Sequence, residues 1–121
     1  MLTPIAYGLA IVLNVFVIFI GLRFLLVPTA AATGYGVPAG AGAYLTVKGV
    51  RDFSYGVLGL ALTAFVGAHA VAWFMLVVAL APLGDTVIVL RNGGTKAVAF
   101  GIHFATAVLV LISAALLFAV S

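Results

Sequence analysis

The sequence PIAYGLAIVLNVFVIFIGLRFLLV occupies residues 4–27 and contains one charged side chain, that of Arg23. A helix that crosses the hydrocarbon core of a bilayer needs about 20 mostly apolar residues. Thr3 is a suitable N-cap, Pro4 fits the first helical turn, and Pro28 stops the helix. We therefore predict a transmembrane helix. We expect it to be retained, because a signal peptide has a basic n-region and a shorter apolar stretch.

Three more apolar segments of comparable length follow the first along the chain. Together they give four predicted transmembrane helices, at about residues 4–27, 44–66, 69–90 and 97–120. The connection at 28–43 contains two prolines and four glycines, so we expect it to be irregular. The sequence therefore predicts an all-α integral membrane protein, an antiparallel bundle of four transmembrane helices that forms a single domain over residues 1–121.

The overall composition agrees with a chain that is surrounded by lipid. Hydrophobic residues make up 67% of the chain and charged residues 6%, with a mean hydropathy of +1.46, whereas soluble domains average about 25% charged residues. The net charge of +3 rests on only five basic residues, too few for a nucleic-acid partner. The absence of cysteine excludes disulfides, thiolate catalysis, and zinc-thiolate or iron–sulfur sites.

The basic residues indicate how the bundle is oriented. Every one lies in the half of the membrane next to the connections 28–43 and 91–96; they are Arg23, Lys48, Arg51, Arg91 and Lys96. Cytoplasmic loops carry an excess of lysine and arginine. We therefore expect both connections in the cytoplasm and both termini outside, in a bacterial inner membrane.

Ionisable residues from separate helices fall at one depth. With a rise of about 1.5 Å per residue, six of them lie roughly 6 to 12 Å from the cytoplasmic edge: Arg23, Lys48, Arg51, Asp52, Asp85 and His103. On the second segment, helical spacing aligns a polar stripe, formed by Tyr44, Lys48, Arg51, Asp52 and Tyr55. The stripe predicts a face that contacts protein or water.

Asp52 and Asp85 are the only acidic residues, and both lie inside apolar segments. A charge at a helix centre costs at least about 2.5 to 3.5 kcal/mol, so it persists where it pairs, lines a cavity or acts. One interpretation is ion pairs that only set the register of the helices. The other is a polar pocket around a bound molecule, with Pro82 kinking the third helix one turn from Asp85.

Two carboxyl groups in different surroundings are the usual ingredients of acid–base catalysis. Such a set suits opening an epoxide, or isomerising or cyclising a lipophilic small molecule. In this hypothesis Asp52 and Asp85 are the acid–base pair, Arg51 lies between them, and Tyr55 and His103 donate hydrogen bonds. The residues expected to contact the substrate are Lys48, Arg23, Asn14 and Tyr44.

Asn14 has a second interpretation, and metal binding has little support. Asn14 is nine residues from Arg23, which places the two roughly 180° apart on an ideal helix, so a hydrogen bond between helices is an equal alternative. His69 and His103 lie near opposite membrane faces, without the clustered spacing of metal ligands. We expect neither a metal nor a cofactor.

The Asp-Arg-Asp set resembles, in its chemistry alone, the active site of limonene-type epoxide hydrolases, which are soluble curved-sheet proteins. The whole chain resembles the small four-helix membrane proteins grouped with the DoxX-like families. That resemblance rests on YLTVKGVRDFSYGVLGLAL (44–62) and ALAPLGDTVIVLRNGGTKAVAFGIHF (79–104). It implies the four-helix fold and the importance of the polar residues in these segments. It implies no reaction, because many of these relatives lack an assigned activity.

Two alternatives stay open. Small multidrug exporters are similar in length and span count, but they use a glutamate in the first helix, where this chain offers Asn14. For a transporter of this kind, a homo-oligomer that carries an anionic or neutral lipophilic solute would fit better. The other alternative is an accessory membrane subunit without chemistry of its own. Two stripes of small residues predict close helix contacts, one of which would serve a dimer: Ala97, Gly101 and Ala105, and Gly49, Gly56 and Thr63.

Overall fold

The computed structural model describes residues 1–38 and 42–121. These residues form five helices and no strand, as the sequence predicted for an all-α protein. The helices are α1 (Leu2–Leu26), α2 (Pro28–Tyr35), α3 (Gly42–Phe65), α4 (Ala68–Arg91) and α5 (Lys96–Val120). The four long helices overlap the four predicted apolar segments, and α2 is an additional short one.

Three of the long helices have the length and composition to cross a membrane. The mean hydropathy of their most apolar windows is 2.6 for α1, 2.1 for α4 and 2.4 for α5. The protein is therefore an integral membrane protein. Helix α3 is 24 residues long but is more polar, because it carries Lys48, Arg51 and Asp52.

Helix α3 packs against α1 at very short range, and glycine makes this possible. A Cβ atom added at Gly21 would lie 2.5 Å from the backbone nitrogen of Phe53 and 2.7 Å from the carbonyl oxygen of Gly49. Gly56 faces the backbone of Asn14 in the same way. The two glycines of the predicted stripe on α3, Gly49 and Gly56, therefore contact α1. The stripe on α5 is different, because a Cβ at Gly101 would meet nothing within 4 Å.

Helices α4 and α5 pack on each other and on the N-terminal half of α1. Their shared core consists mainly of small and medium side chains, among them Ala6, Ala10, Val71, Ala72, Met75, Ala114 and Leu117. Because these side chains are short, the helices approach closely at this end. The two acidic residues, Asp52 and Asp85, lie towards the opposite end, where Tyr35 of α2 bonds to Asp85.

The predicted irregular connection at 28–43 is wrong over its first half, where α2 forms. Pro28 occupies the first helical turn, where its fixed φ favours a helix. Gly36 ends α2 with a φ of 88°, and the N–H groups of Gly36 and Val37 donate to the carbonyl of Ala32 at 3.0 and 3.1 Å. This is the usual glycine termination of a helix. Residues 39–41 of the connection lie outside the described residues.

Two long helices depart from regular α geometry near the polar end. Helix α4 consists of Ala68–Val78 and Leu80–Arg91, joined at Ala79. Pro82 lacks the N–H that would donate to the carbonyl of Val78. Helix α5 contains a π-helical turn at Ala99–Phe104, a feature often found at functional sites.

Candidate functional site

A cavity of about 430 Å³ lies between the long helices, with α2 closing one end. Its volume is within the range of sites for small molecules. Apolar side chains form most of its wall, for example Leu13, Phe74 and Val110. Both acidic residues of the chain, Asp52 and Asp85, line it. The two carboxyl groups therefore share one cavity.

A chain of hydrogen bonds joins the two acids. The Tyr35 hydroxyl donates a short hydrogen bond to Oδ2 of Asp85. The ammonium of Lys48 donates to the Tyr35 hydroxyl oxygen at 3.0 Å and to Oδ2 of Asp52 at 3.1 Å. We call these four residues the acid network. It connects α4, α2 and α3.

Aromatic packing holds the acid network in place. The Tyr35 ring meets Phe24 edge-on, with centroids 5.4 Å apart, and lies 4.2 Å from the His103 ring. The Lys48 ammonium is 4.1 Å from the Tyr35 ring centroid and 5.2 Å from that of Phe24. Both distances suit a cation–π interaction. Lys48 therefore contacts aromatic faces as well as oxygen atoms.

His103 fixes the end of α2. Its Nε2 lies 2.7 Å from the backbone carbonyl oxygen of Tyr35. A carbonyl oxygen can only accept, so Nε2 carries the proton and donates. The π-helical turn of α5 thus presents His103 to the residue that joins the two acids. His103 also lines the cavity.

The Tyr35 phenol stays protonated. Burial raises the pKa of Tyr35 far above its usual value, and the charge of Asp85 and its hydrogen bond raise it further. The hydroxyl therefore keeps the proton that it donates to Asp85. A protonated phenol of this kind is a hydrogen-bond donor aimed at a carboxylate.

Arg51 and Tyr44 lie elsewhere than the sequence analysis expected. Arg51 was placed between the two acids, but it is exposed and does not line the cavity. Lys48 bonds to Tyr35 and to Asp52, one turn further along α3, and Arg51 lies outside this face. Tyr44 was expected to contact substrate, but it is 77% exposed at the start of α3.

Asn14, Arg23 and Tyr55 all line the cavity. Although helical spacing places Asn14 and Arg23 on different sides of α1, both contribute to the wall of the cavity, which extends along α1 from Leu13 to Phe24. Asn14 is only 3% exposed, and its amide donates to the Ala10 carbonyl at 2.8 Å. Its contact with α4 is a weak one, 3.8 Å to the sulfur of Met75.

Tyr35 was missed by the sequence analysis, although it is central to the acid network. Residues 28–43 were predicted to be irregular, and an irregular connection gives no helical face on which to place Tyr35. Pro28 and Gly36 bracket eight residues that are compatible with a helix. Recognising that helix would have placed Tyr35 at its last position, facing the bundle.

The fold and the site define a small helical membrane protein with a polar network at one end of an apolar cavity. Residues 14–117 match the family described as Domain of unknown function (DUF4267), and the chain belongs to that family. The matched range contains the whole acid network. The match does not connect the chain to the DoxX-like families. No curated protein and no solved structure matches the chain.

Proposed function

We propose that the protein is an intramembrane acid–base enzyme that acts on a lipophilic small molecule, most concretely by hydrolysing an epoxide or by a related isomerisation or cyclisation. The observation that carries the proposal is the shared cavity of Asp52 and Asp85. Asp52 is paired with an ammonium and Asp85 with a phenol. Two carboxyl groups with such different partners suit the separate roles of acid and base.

The reaction needs only a water molecule and the two carboxyl groups. One carboxylate takes a proton from water while the water oxygen bonds to a carbon of the epoxide. The C–O bond at that carbon breaks, and the released oxygen takes a proton from the second carboxyl group. That group takes up its proton from water before the reaction, and the first carboxyl group returns the proton it removed to water afterwards. The product is a diol. Isomerisation or cyclisation uses the same two groups to remove and return a proton.

In this proposal Lys48 and Tyr35 replace the arginine that the sequence analysis placed between the acids. Both hold their partners by direct hydrogen bonds, so they orient the two carboxyl groups. Helix α3 is the fourth membrane span, with its polar face turned to the cavity and to α2. The basic residues near α2 and the 91–96 turn support a cytoplasmic position for both.

The test is a screen of the purified protein with lipophilic epoxides and isomerisable analogues. Asp52→Asn and Asp85→Asn are each expected to abolish turnover while the protein stays folded. Arg51→Gln is the matched control, because Arg51 is exposed and lies outside the cavity, and it is expected to keep turnover. Product formation that survives Asp85→Asn would contradict the proposal. Flux into liposomes without turnover would favour the transporter.

A further inference from the structure

A second apolar space lies beside the cavity, on the outer side of the contact between α3 and α4. It measures about 280 Å³, and we call it the α3–α4 groove. Three of its lining residues belong to it alone: Leu58, Val77 and Leu80. The other four also line the main cavity: Tyr55, Phe74, Val78 and Ala81. The two spaces are therefore separated by one layer of shared side chains.

The α3–α4 groove faces the lipid. Leu58 is 47% exposed, Val77 60% and Leu80 70%, and no charged side chain is among the described residues that line it. In a membrane-spanning bundle, such large apolar side chains lie against acyl chains. The groove therefore provides an apolar protein surface that runs from the lipid-facing side of the bundle to the shared layer.

The shared layer lies next to the point where α4 departs from regular helical geometry. The two parts of α4 join at Ala79, which lies between Val78 and Ala81 in the sequence. Ala81 is the smallest side chain of the layer, so it leaves the least material between the two spaces. Tyr55 brings a polar hydroxyl to the same layer, from the helix that carries Asp52.

We infer that the α3–α4 groove is the route by which the substrate enters the cavity from the bilayer, and that it holds the hydrocarbon tail of the bound molecule. The inference deepens the proposed function and rests on it for calling this molecule a substrate. It defines the substrate class as a membrane-dissolved molecule whose reacting oxygen lies near the acid network and whose tail extends towards the lipid.

The test uses two fatty acids, one with a photoreactive diazirine close to the carboxyl group and one with the diazirine at the end of the chain. Each is mixed into phosphatidylcholine vesicles that contain the protein. Light-induced adducts are mapped by mass spectrometry. We expect the probe labelled near its carboxyl group to give adducts on Met75 and Val110 in the cavity, and the probe labelled at its chain end to give adducts on Val77 in the groove. Both probes are expected to label Leu109, which faces lipid.

Ala81→Trp fills the shared layer and is expected to remove the adducts on Met75 and Val110 while leaving those on Leu109. Ala64→Trp is the matched control, because Ala64 is exposed on α3 and lines neither space, and it is expected to leave all adducts in place. Val78→Phe provides a second block if Ala81→Trp does not fold.

Cavity adducts that persist in a folded blocked variant would overturn the inference, as would their absence from the unmodified protein. Labelling requires no turnover. Loss of cavity adducts on blocking, together with activity that survives Asp85→Asn, would therefore contradict the proposed function and keep the entry route. Cavity adducts that persist in a blocked variant, together with activity that Asp85→Asn abolishes, would overturn the entry route and support the proposed function.

Discussion

Replacing Gly21 by alanine tests the close packing of α1 on α3 that positions the site. The new Cβ atom would lie 2.5 Å from the backbone nitrogen of Phe53, which is 0.9 Å short of the 3.4 Å at which ordinary contact begins. The nearest obstacles are backbone atoms, which cannot rotate away. The two helices must therefore separate by several tenths of an ångström.

Gly8→Ala is the matched control on the same helix, because a Cβ at Gly8 meets nothing within 4 Å. Both changes gain the same helix propensity, up to about 1 kcal/mol. Only the change at Gly21 adds the cost of overpacking, typically about 1 to 3 kcal/mol. The difference between the two variants isolates that cost, so we expect Gly21→Ala to be less stable than Gly8→Ala by about 1 to 3 kcal/mol.

The measurement is an unfolding titration with sodium dodecyl sulfate in mixed micelles, followed by the fluorescence of Trp73, the single tryptophan. Trp73 packs against Phe118 with centroids 5.1 Å apart, so its signal reports separation of α4 from α5. Equal midpoints for the two variants would refute the reasoning, because they would show that α1 and α3 are not in backbone contact at Gly21.

Two further predictions concern the acid network and the orientation of the bundle. Tyr35→Phe removes the hydroxyl that donates to Asp85, so it is expected to destabilise the protein by about 1 to 3 kcal/mol in the same titration. Tyr44→Phe changes an exposed tyrosine and is expected to have little effect. An equal loss of stability in both variants would contradict the acid network. Because the chain lacks cysteine, single cysteines report topology: Asn92→Cys is expected to react with an impermeant maleimide from the cytoplasmic side and Ser121→Cys from the outside, and the opposite pattern would contradict the charge-based orientation.

Much of the helical fold follows from the sequence, because each long helix is an apolar segment bounded by proline, glycine or charge. Helix α2 was not predicted, since its glycines and prolines were weighed by number rather than by position. Pro28 and Gly36 stand at the two ends of α2, where each favours a helix boundary. Composition alone does not show this difference.

The candidate site was predictable in its depth but not in its connections. Counting residues from the helix ends brings Asp52, Asp85 and Lys48 to one layer, because the rise of a helix is constant. Which side chains meet within that layer depends on the rotation of each helix and on what covers it. Arg51 is the direct neighbour of Asp52 in the sequence, yet Arg51 is exposed. Lys48, one turn away on α3, is the residue that pairs with Asp52.

The position of α2 therefore controls whether the acid network exists at all. Within the described residues, Tyr35 is the link between Asp85 and the Lys48–Asp52 pair, and Tyr35 is the last residue of α2. The chain leaves α2 through Gly36, whose φ of 88° is strained for other residues and whose added Cβ would lie 2.8 Å from Val98 on α5. The two acids are joined only when this short helix is seated on the bundle, so a segment outside the long helices sets the geometry between them.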